Sequence, residues 1–226
     1  QGASPDQEVF MNMEALSEET ARQMSSILPS RWWKGQKAFK VTPTAHFCMG
    51  GIVTDQCGET PLKGLFAVGE ATAGVHGANR LGGNALAEIF AMGSWVGEMA
   101  AERTRDIGKA IIPKNTFEKE RSRLEGAFSN QGLSAKQLIN ELKQLMWDKA
   151  GVIRQESELG EALKRLREPW PRVAVSSPTD LIRLLEFQNM RCVAKLVCRA
   201  ALERTESRGS HFRTDYPEED NRIWLK

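Results

Sequence analysis

The residues best able to do chemistry are few and close together. The stretch GVHGANRLGGNALAE, residues 74–88, sets four glycines, one histidine and one arginine ahead of a helical pattern. Glycine leaves backbone N–H groups bare for a ligand. Arg80 stands four residues before Asn84, where the helical pattern begins. An anion bound there would meet a guanidinium able to grip a carboxylate with two parallel N–H bonds, and the free N–H groups of a helix start. A plainer reading stays open beside it: the glycines make a tight connection into the helix, and Arg80 is solvated or paired with a nearby Glu.

The other candidates are histidines. His46, His76 and His211 are the only three in the chain, each in a loop-like stretch. Histidine often packs or hydrogen-bonds without catalysing anything, but His76 lies inside the glycine stretch and His46 lies between VTPTA and an MGG turn. The four cysteines, Cys48, Cys57, Cys192 and Cys198, have no C-x-x-C spacing, so they read as reduced, partly buried thiols, with neither a disulfide nor a metal site. A G-x-G-x-x-G fingerprint, a Ser-His-Asp arrangement and H-E-x-x-H are absent. Any nucleotide cofactor would therefore be held incompletely by these residues.

Composition narrows the partners. With 226 residues, net charge +2 and 41% hydrophobic residues, the chain is long enough to bury a core. Lys and Arg are interspersed with acidic residues, which argues against nucleic acid as a partner. No apolar run is long enough to span a bilayer, and QGASPDQEVF lacks the features of a signal peptide, so a cytoplasmic protein without a transmembrane segment is expected. A start on Gln1 and an end on NRIWLK suggest a piece of something longer.

Several elements must position the chemistry. Residues 1–40 mix an extended piece, EVFMNM, with a helix capped by Ser17, then a break at Pro29 and Trp32–Trp33. Residues 41–70 carry β and turn signals, with Leu65–Val68 as a buried strand. A helix follows from Asn84 to about Arg105. Four more are expected: Asn115 or Thr116 to about Phe128, Ser134 to about Lys149, Glu156 to about Arg167, and Thr179 to about Thr205. The last should bury Leu181, Leu184, Leu185, Met190, Val193, Leu196, Val197 and Leu202. The end of the chain, 206–226, reads as an extended charged tail with Trp224 exposed.

Three motifs, PTAHFCMGGIVTD, LKGLFAVGEATAGVHGANRLGGNALAE and ESRGSHFRTDYPEEDNRIWLK, resemble the flavoprotein subunit of the fumarate reductase and succinate dehydrogenase family, which includes L-aspartate oxidase. The resemblance implies an α/β plus α fold: the tail end of a capping domain over 1–40, and the C-terminal part of an FAD-binding domain over 41–108. A helical bundle over 109–205 and the tail complete it. In this partial FAD-binding domain a β-rich segment and the Gly-rich loop lead to a helix, and the C-terminal helical bundle follows. The resemblance also assigns roles. His46 and Arg80 would bind a carboxylate of a dicarboxylate substrate, fumarate or succinate. Glu70 would contact the FAD sugar, and His76, Asn84, Ala85 and Leu86 would line the cofactor, with the N–H groups of Ala85 and Leu86 towards flavin N1 and the C2 carbonyl. No metal is implied. The family's dinucleotide-binding stretch, its covalent-flavin histidine and its proton-donor arginine have no counterpart here, so the isolated chain is expected to be inactive and without FAD. An iron-sulfur subunit is the implied partner, holding the protein at the inner face of a membrane. Two alternatives remain: an L-aspartate oxidase-like flavoenzyme, and a non-catalytic helical assembly module.

Overall fold

The computed structural model describes residues 9–12, 17–27, 38–41, 45–107 and 111–225. They fall into two compact units, Gln1–Cys48 and Met49–Lys226. In the first, β1 (Val9–Asn12) pairs antiparallel with β2 (Ala38–Val41), with Val9 opposite Val41 and Asn12 opposite Ala38. Helix α1 (Glu18–Ile27) starts as its sequence predicts: Thr20 N donates to Ser17 Oγ at 3.2 Å, and Glu18 and Glu19 occupy the first turn. The break at Pro29 and Trp32–Trp33 and the strand reading of residues 42–44 lie outside the described residues.

The second unit begins without the β-rich segment expected over 41–70. Isolated bridges, Ile52 with Thr72 and Glu59 with Phe66, stand where strands were expected. Leu65 and Val68, expected in a buried strand, are exposed. A strand apolar on both faces is stable only inside a covered sheet, and among the described residues Phe66 bridges only to Glu59. A 3-10 turn, Gly69–Ala71, follows, and then the glycine loop leads into α2 (Asn84–Ile107).

Helix α3 (Lys114–Glu125) ends at Gly126, short of the expected Phe128, and buries none of its residues. The bundle therefore has three helices rather than four: α4 (Ala135–Ala150), α5 (Glu156–Arg167) and α6 (Pro178–Glu203). Helix α4 opens with a full capping box, in which Gln137 N donates to Ser134 Oγ and Ser134 N donates to Gln137 Oε1. On α6 the cap is Ser177, with Pro178 in the first turn, two residues ahead of the Thr179 that the pattern suggests. Leu138, Leu142, Leu159, Leu163 and Leu166 form the core with Phe187, Ala194, Cys198 and Ala201 of α6. Of the expected α6 stripe, Leu181, Leu184, Met190 and Leu202 pack against the core, while Val193 and Leu196 are exposed. Small Ala194, Cys198 and Ala201, spaced by four and three along α6, are buried where Val193 and Leu196 were expected and let the neighbouring helices come close.

The tail is a folded element rather than an extended one. Its strand β4 (Phe212–Arg213) pairs parallel with β3 (Ile153–Arg154), and α7 (Asn221–Trp224) is capped by Asp220. Trp224 is half-buried beneath the Arg204 guanidinium, 5.1 Å from its ring centre, not exposed as expected. The alternating charges pair with one another. Glu206 is fully buried and accepts hydrogen bonds from Arg208, Arg204 and the Asp220 N–H. The Arg208 bonds lead in holding its carboxyl at about 2, with the Asp220 N–H and Arg204 adding to them against the opposing effect of burial. Arg213, only 1% exposed, donates to the carbonyls of Ala201 and Leu202 at the end of α6 and to Asp215.

Candidate functional site

The glycine loop has open space around its backbone. At Gly74, Gly77, Gly82 and Gly83 an added β-carbon would meet nothing within 4 Å. Beyond it, α2 carries no acidic side chain in its first turn, so the partial positive charge of its free N–H groups is not neutralised by its own residues. Asn84 and Leu86 are exposed there and Ala85 is half-buried, and the exposed apolar surface runs on through Ile89 to Phe90, 74% exposed. Open backbone, an uncompensated helix start and an apolar flank suit a large ligand with an anionic or electron-rich edge. The residues present thus fit one wall of a flavin site.

Contacts among the described residues hold the loop at two places. His76 Nε2 lies 2.8 Å from Glu88 Oε2, with the two side chains 10% and 4% exposed, so the ring is turned onto α2. The resemblance makes His76 a cofactor residue; in this structure its ring ties the loop to the helix. Glu88 is legible in the sequence only as a charge interrupting the apolar run of α2, and nothing there marks it as the partner of His76. The second contact comes from the tail: Ser210 N and Ser210 Oγ both donate to Ala78 O, at 3.2 and 3.3 Å. Between these anchors and α2 lies Arg80, half-buried, its Nη1 donating to Leu81 O at 3.3 Å. Glu70 is exposed in the 3-10 turn, which is tied back by Ile52 N donating to Ala71 O at 2.8 Å.

Glu70, His76, Arg80, Asn84, Ala85 and Leu86 lie along one continuous segment that leads into and opens α2. His46 belongs to the first unit, where it is exposed. Among the described residues no group of three or more His, Cys, Asp or Glu side chains is placed to hold a metal ion. A concavity of about 520 Å³ lies on α5 beside Gly160, Leu163 and Arg167 and is lined by no residue of the loop. The thiols differ from expectation: Cys198 alone is buried, while Cys48, Cys57 and Cys192 are exposed.

Comparison with known proteins interprets this wall. Residues 4–86 match the model of an FAD binding domain, and residues 139–226 match that of the fumarate reductase flavoprotein C-terminal domain. The chain belongs to the fumarate reductase and succinate dehydrogenase flavoprotein family. It is 38% identical over 186 residues to a fumarate reductase (CoM/CoB) chain of Methanothermobacter marburgensis, a match covering 79% of this chain and 34% of that protein. It is 34% identical over 192 residues to an L-aspartate oxidase of Yersinia pestis, covering 81% of this chain and 34% of that one. Among solved structures, the E. coli quinol fumarate reductase superposes with a TM-score of 0.80 at 30% identity, over 99% of this chain and 42% of that one. A Mycobacterium smegmatis Sdh1 complex superposes with 0.81 at 34%, over 96% and 40%. The chain thus spans about a third of the length of the curated relatives it matches. FAD is the cofactor of the matched domain. No helix among the described residues is long and apolar enough to cross a membrane.

Proposed function

We propose that this chain is part of a flavin-dependent oxidoreductase acting on the carbon–carbon bond of a dicarboxylate, the fumarate and succinate pair. The observation that carries the reading is Arg80, half-buried between the open glycines and a start of α2 whose first turn holds no acidic side chain. Bound FAD would supply the hydride exchange. Arg80 would grip a substrate carboxylate through two N–H bonds, orient the substrate and draw electron density from it, with His46 as a second carboxylate ligand in the complete protein. Glu70 would hold the sugar side of the cofactor. Asn84 would line the cofactor, and the N–H groups of Ala85 and Leu86 would face its electron-rich edge and stabilise negative charge there. His76, held by Glu88, would keep the loop in place. An iron-sulfur subunit would exchange electrons with the flavin, at the cytoplasmic face of a membrane.

The reading is tested in the complete flavoprotein. Arg80→Ala and Arg80→Lys should each lose most fumarate turnover, since Lys cannot offer the paired N–H bonds. Unchanged fumarate reduction in Arg80→Ala would overturn the reading. By the same reading the chain alone holds no flavin and does not turn over. A near-stoichiometric flavin absorbance band in the purified chain would refute that part. The 34% identity to an L-aspartate oxidase supports a second reading, in which the substrate is aspartate. Turnover with aspartate compared with succinate decides between them. A purely structural assembly role is favoured less, because Arg213, Glu206 and Asp215 of the tail are engaged within the chain itself.

A further inference from the structure

The tail reaches back to the loop that carries Arg80. Residues 208–211 form a tight hairpin: Arg208 N donates to His211 O at 2.8 Å, and His211 N to Arg208 O at 3.0 Å. Gly209 takes the first central position with φ +59°, a conformation L side chains rarely adopt. The approach is as tight as the backbone permits. A β-carbon at Gly209 would lie 2.4 Å from Ala78 O and 2.6 Å from Ala78 C, both backbone atoms that cannot rotate away. Ser210 then sends two donors to that same carbonyl.

The hairpin is itself rigidly mounted. Arg208 is bound to buried Glu206 and to Asn221 Oδ1, and His211 Nδ1 lies 2.9 Å from Arg154 Nη1. Ala78 is therefore fixed from the bundle side, while His76 is fixed to α2 through Glu88. Arg80 follows two residues after Ala78 and precedes α2 by four, so it hangs between two clamped points.

We propose that the Gly209–Ser210 turn is a positioning device for Arg80: the C-terminal domain sets the aim of the carboxylate-binding arginine through a single backbone carbonyl, Ala78 O. This rests on the reading of Arg80 as a dicarboxylate ligand. It assigns the tail a part in substrate affinity, although no tail residue need touch substrate.

The test uses the complete flavoprotein loaded with FAD and measures binding of malonate, a dicarboxylate that cannot react, by calorimetry, beside KM and kcat for fumarate. Three variants are compared: Gly209→Ala, Arg80→Ala, and Gly64→Ala. Gly64 also has positive φ, +82°, but open space where its β-carbon would go, so it carries the backbone strain without the collision. Gly209→Ala should weaken malonate and raise the fumarate KM by roughly ten- to a hundredfold, while Gly64→Ala leaves both at the parent value and Arg80→Ala abolishes binding. Ser210→Ala, which keeps the backbone N–H, should retain most of the affinity. Parent-like malonate binding in Gly209→Ala, with binding lost in Arg80→Ala, would overturn the positioning role and leave the carboxylate reading standing. Equal weakening in Gly209→Ala and Gly64→Ala would overturn it too, as a general effect of strain. Parent-like binding in Arg80→Ala would overturn the carboxylate reading, and the positioning role with it.

Discussion

The helical bundle with its tail and the glycine-loop region are built on opposite terms. In the bundle nearly every strong group is answered from within: leucines interlock, Arg213 closes the end of α6, and Glu206 is surrounded by donors. Around the loop and the first turns of α2, apolar side chains and backbone face outward, with Leu86 63% and Phe90 74% exposed. Both regions draw on the same alphabet of Leu, Gly and Arg. What separates them is how much apolar surface and open backbone each leaves towards solvent, and a region that leaves such surface open suits a ligand or another part of the protein.

The largest expected effect comes from opening the closed region. Leu142, 1% exposed, sits among α4, α5 and α6. Leu142→Ala removes its packing and leaves a cavity, which should cost about 2–5 kcal/mol. Urea denaturation of the chain, followed by far-ultraviolet circular dichroism, should show the midpoint falling accordingly. A midpoint that stays put would mean that the bundle is not what holds this chain together, and the contrast between the regions would collapse.

That contrast also explains which parts are legible in the sequence. Helix α5 is legible with both its ends, Glu156 and Arg167, and α4 with its Ser134 cap, because the start and stop signals are local and the core is supplied by the chain itself. The strand expected over Leu65–Val68 does not form because a strand is made by its neighbours, and among the described residues Phe66 bridges only to Glu59. The tail departs from expectation for a related reason: an alternation of charges looks the same whether the partner is water or Arg208, and only folding brings Glu206, Arg208 and Asp220 together. At the site, Arg80 and the glycines are marked by residue type. The anchors are not, because His76 with Glu88 and Ser210 with Ala78 are meetings across 12 and 132 residues.

A smaller effect should follow from acid, acting on the tail. Arg154 can only donate, so His211 Nδ1 accepts from it, and the ring proton sits on Nε2, which faces Arg204 O at 3.4 Å. Burial first, then the nearby Arg154, Arg204 and Arg213 charges, push the His211 pKa below its ordinary 6.5, against the opposing pull of the Arg204 carbonyl. The unfolded chain then binds more protons than the folded one, so this contribution to stability is complete above about pH 6.5 and is lost as pH falls below it. Glu206 adds to the loss only further down, between 4.5 and about 2. Denaturation midpoints should therefore begin to decline just below pH 6.5, and His211→Asn should remove that first step. A decline that starts only near pH 4.5 would show that His211 is not closed in as the rest of the tail is.

The smallest expected effect sharpens the comparison most. Phe90 is as apolar as any core residue, yet on this chain it faces solvent. Phe90→Ser should therefore shift the urea midpoint of the chain by no more than the equivalent of about 0.5 kcal/mol, as for a surface substitution. A loss comparable to that of Leu142→Ala would require a partner for α2 within these 226 residues, and the loop region would then be as closed as the bundle. A null result on the chain, together with a large loss of stability when the same substitution is placed in the complete flavoprotein, would locate the missing partner outside these residues. The apolar flank of the loop would then be a buried wall of the whole enzyme.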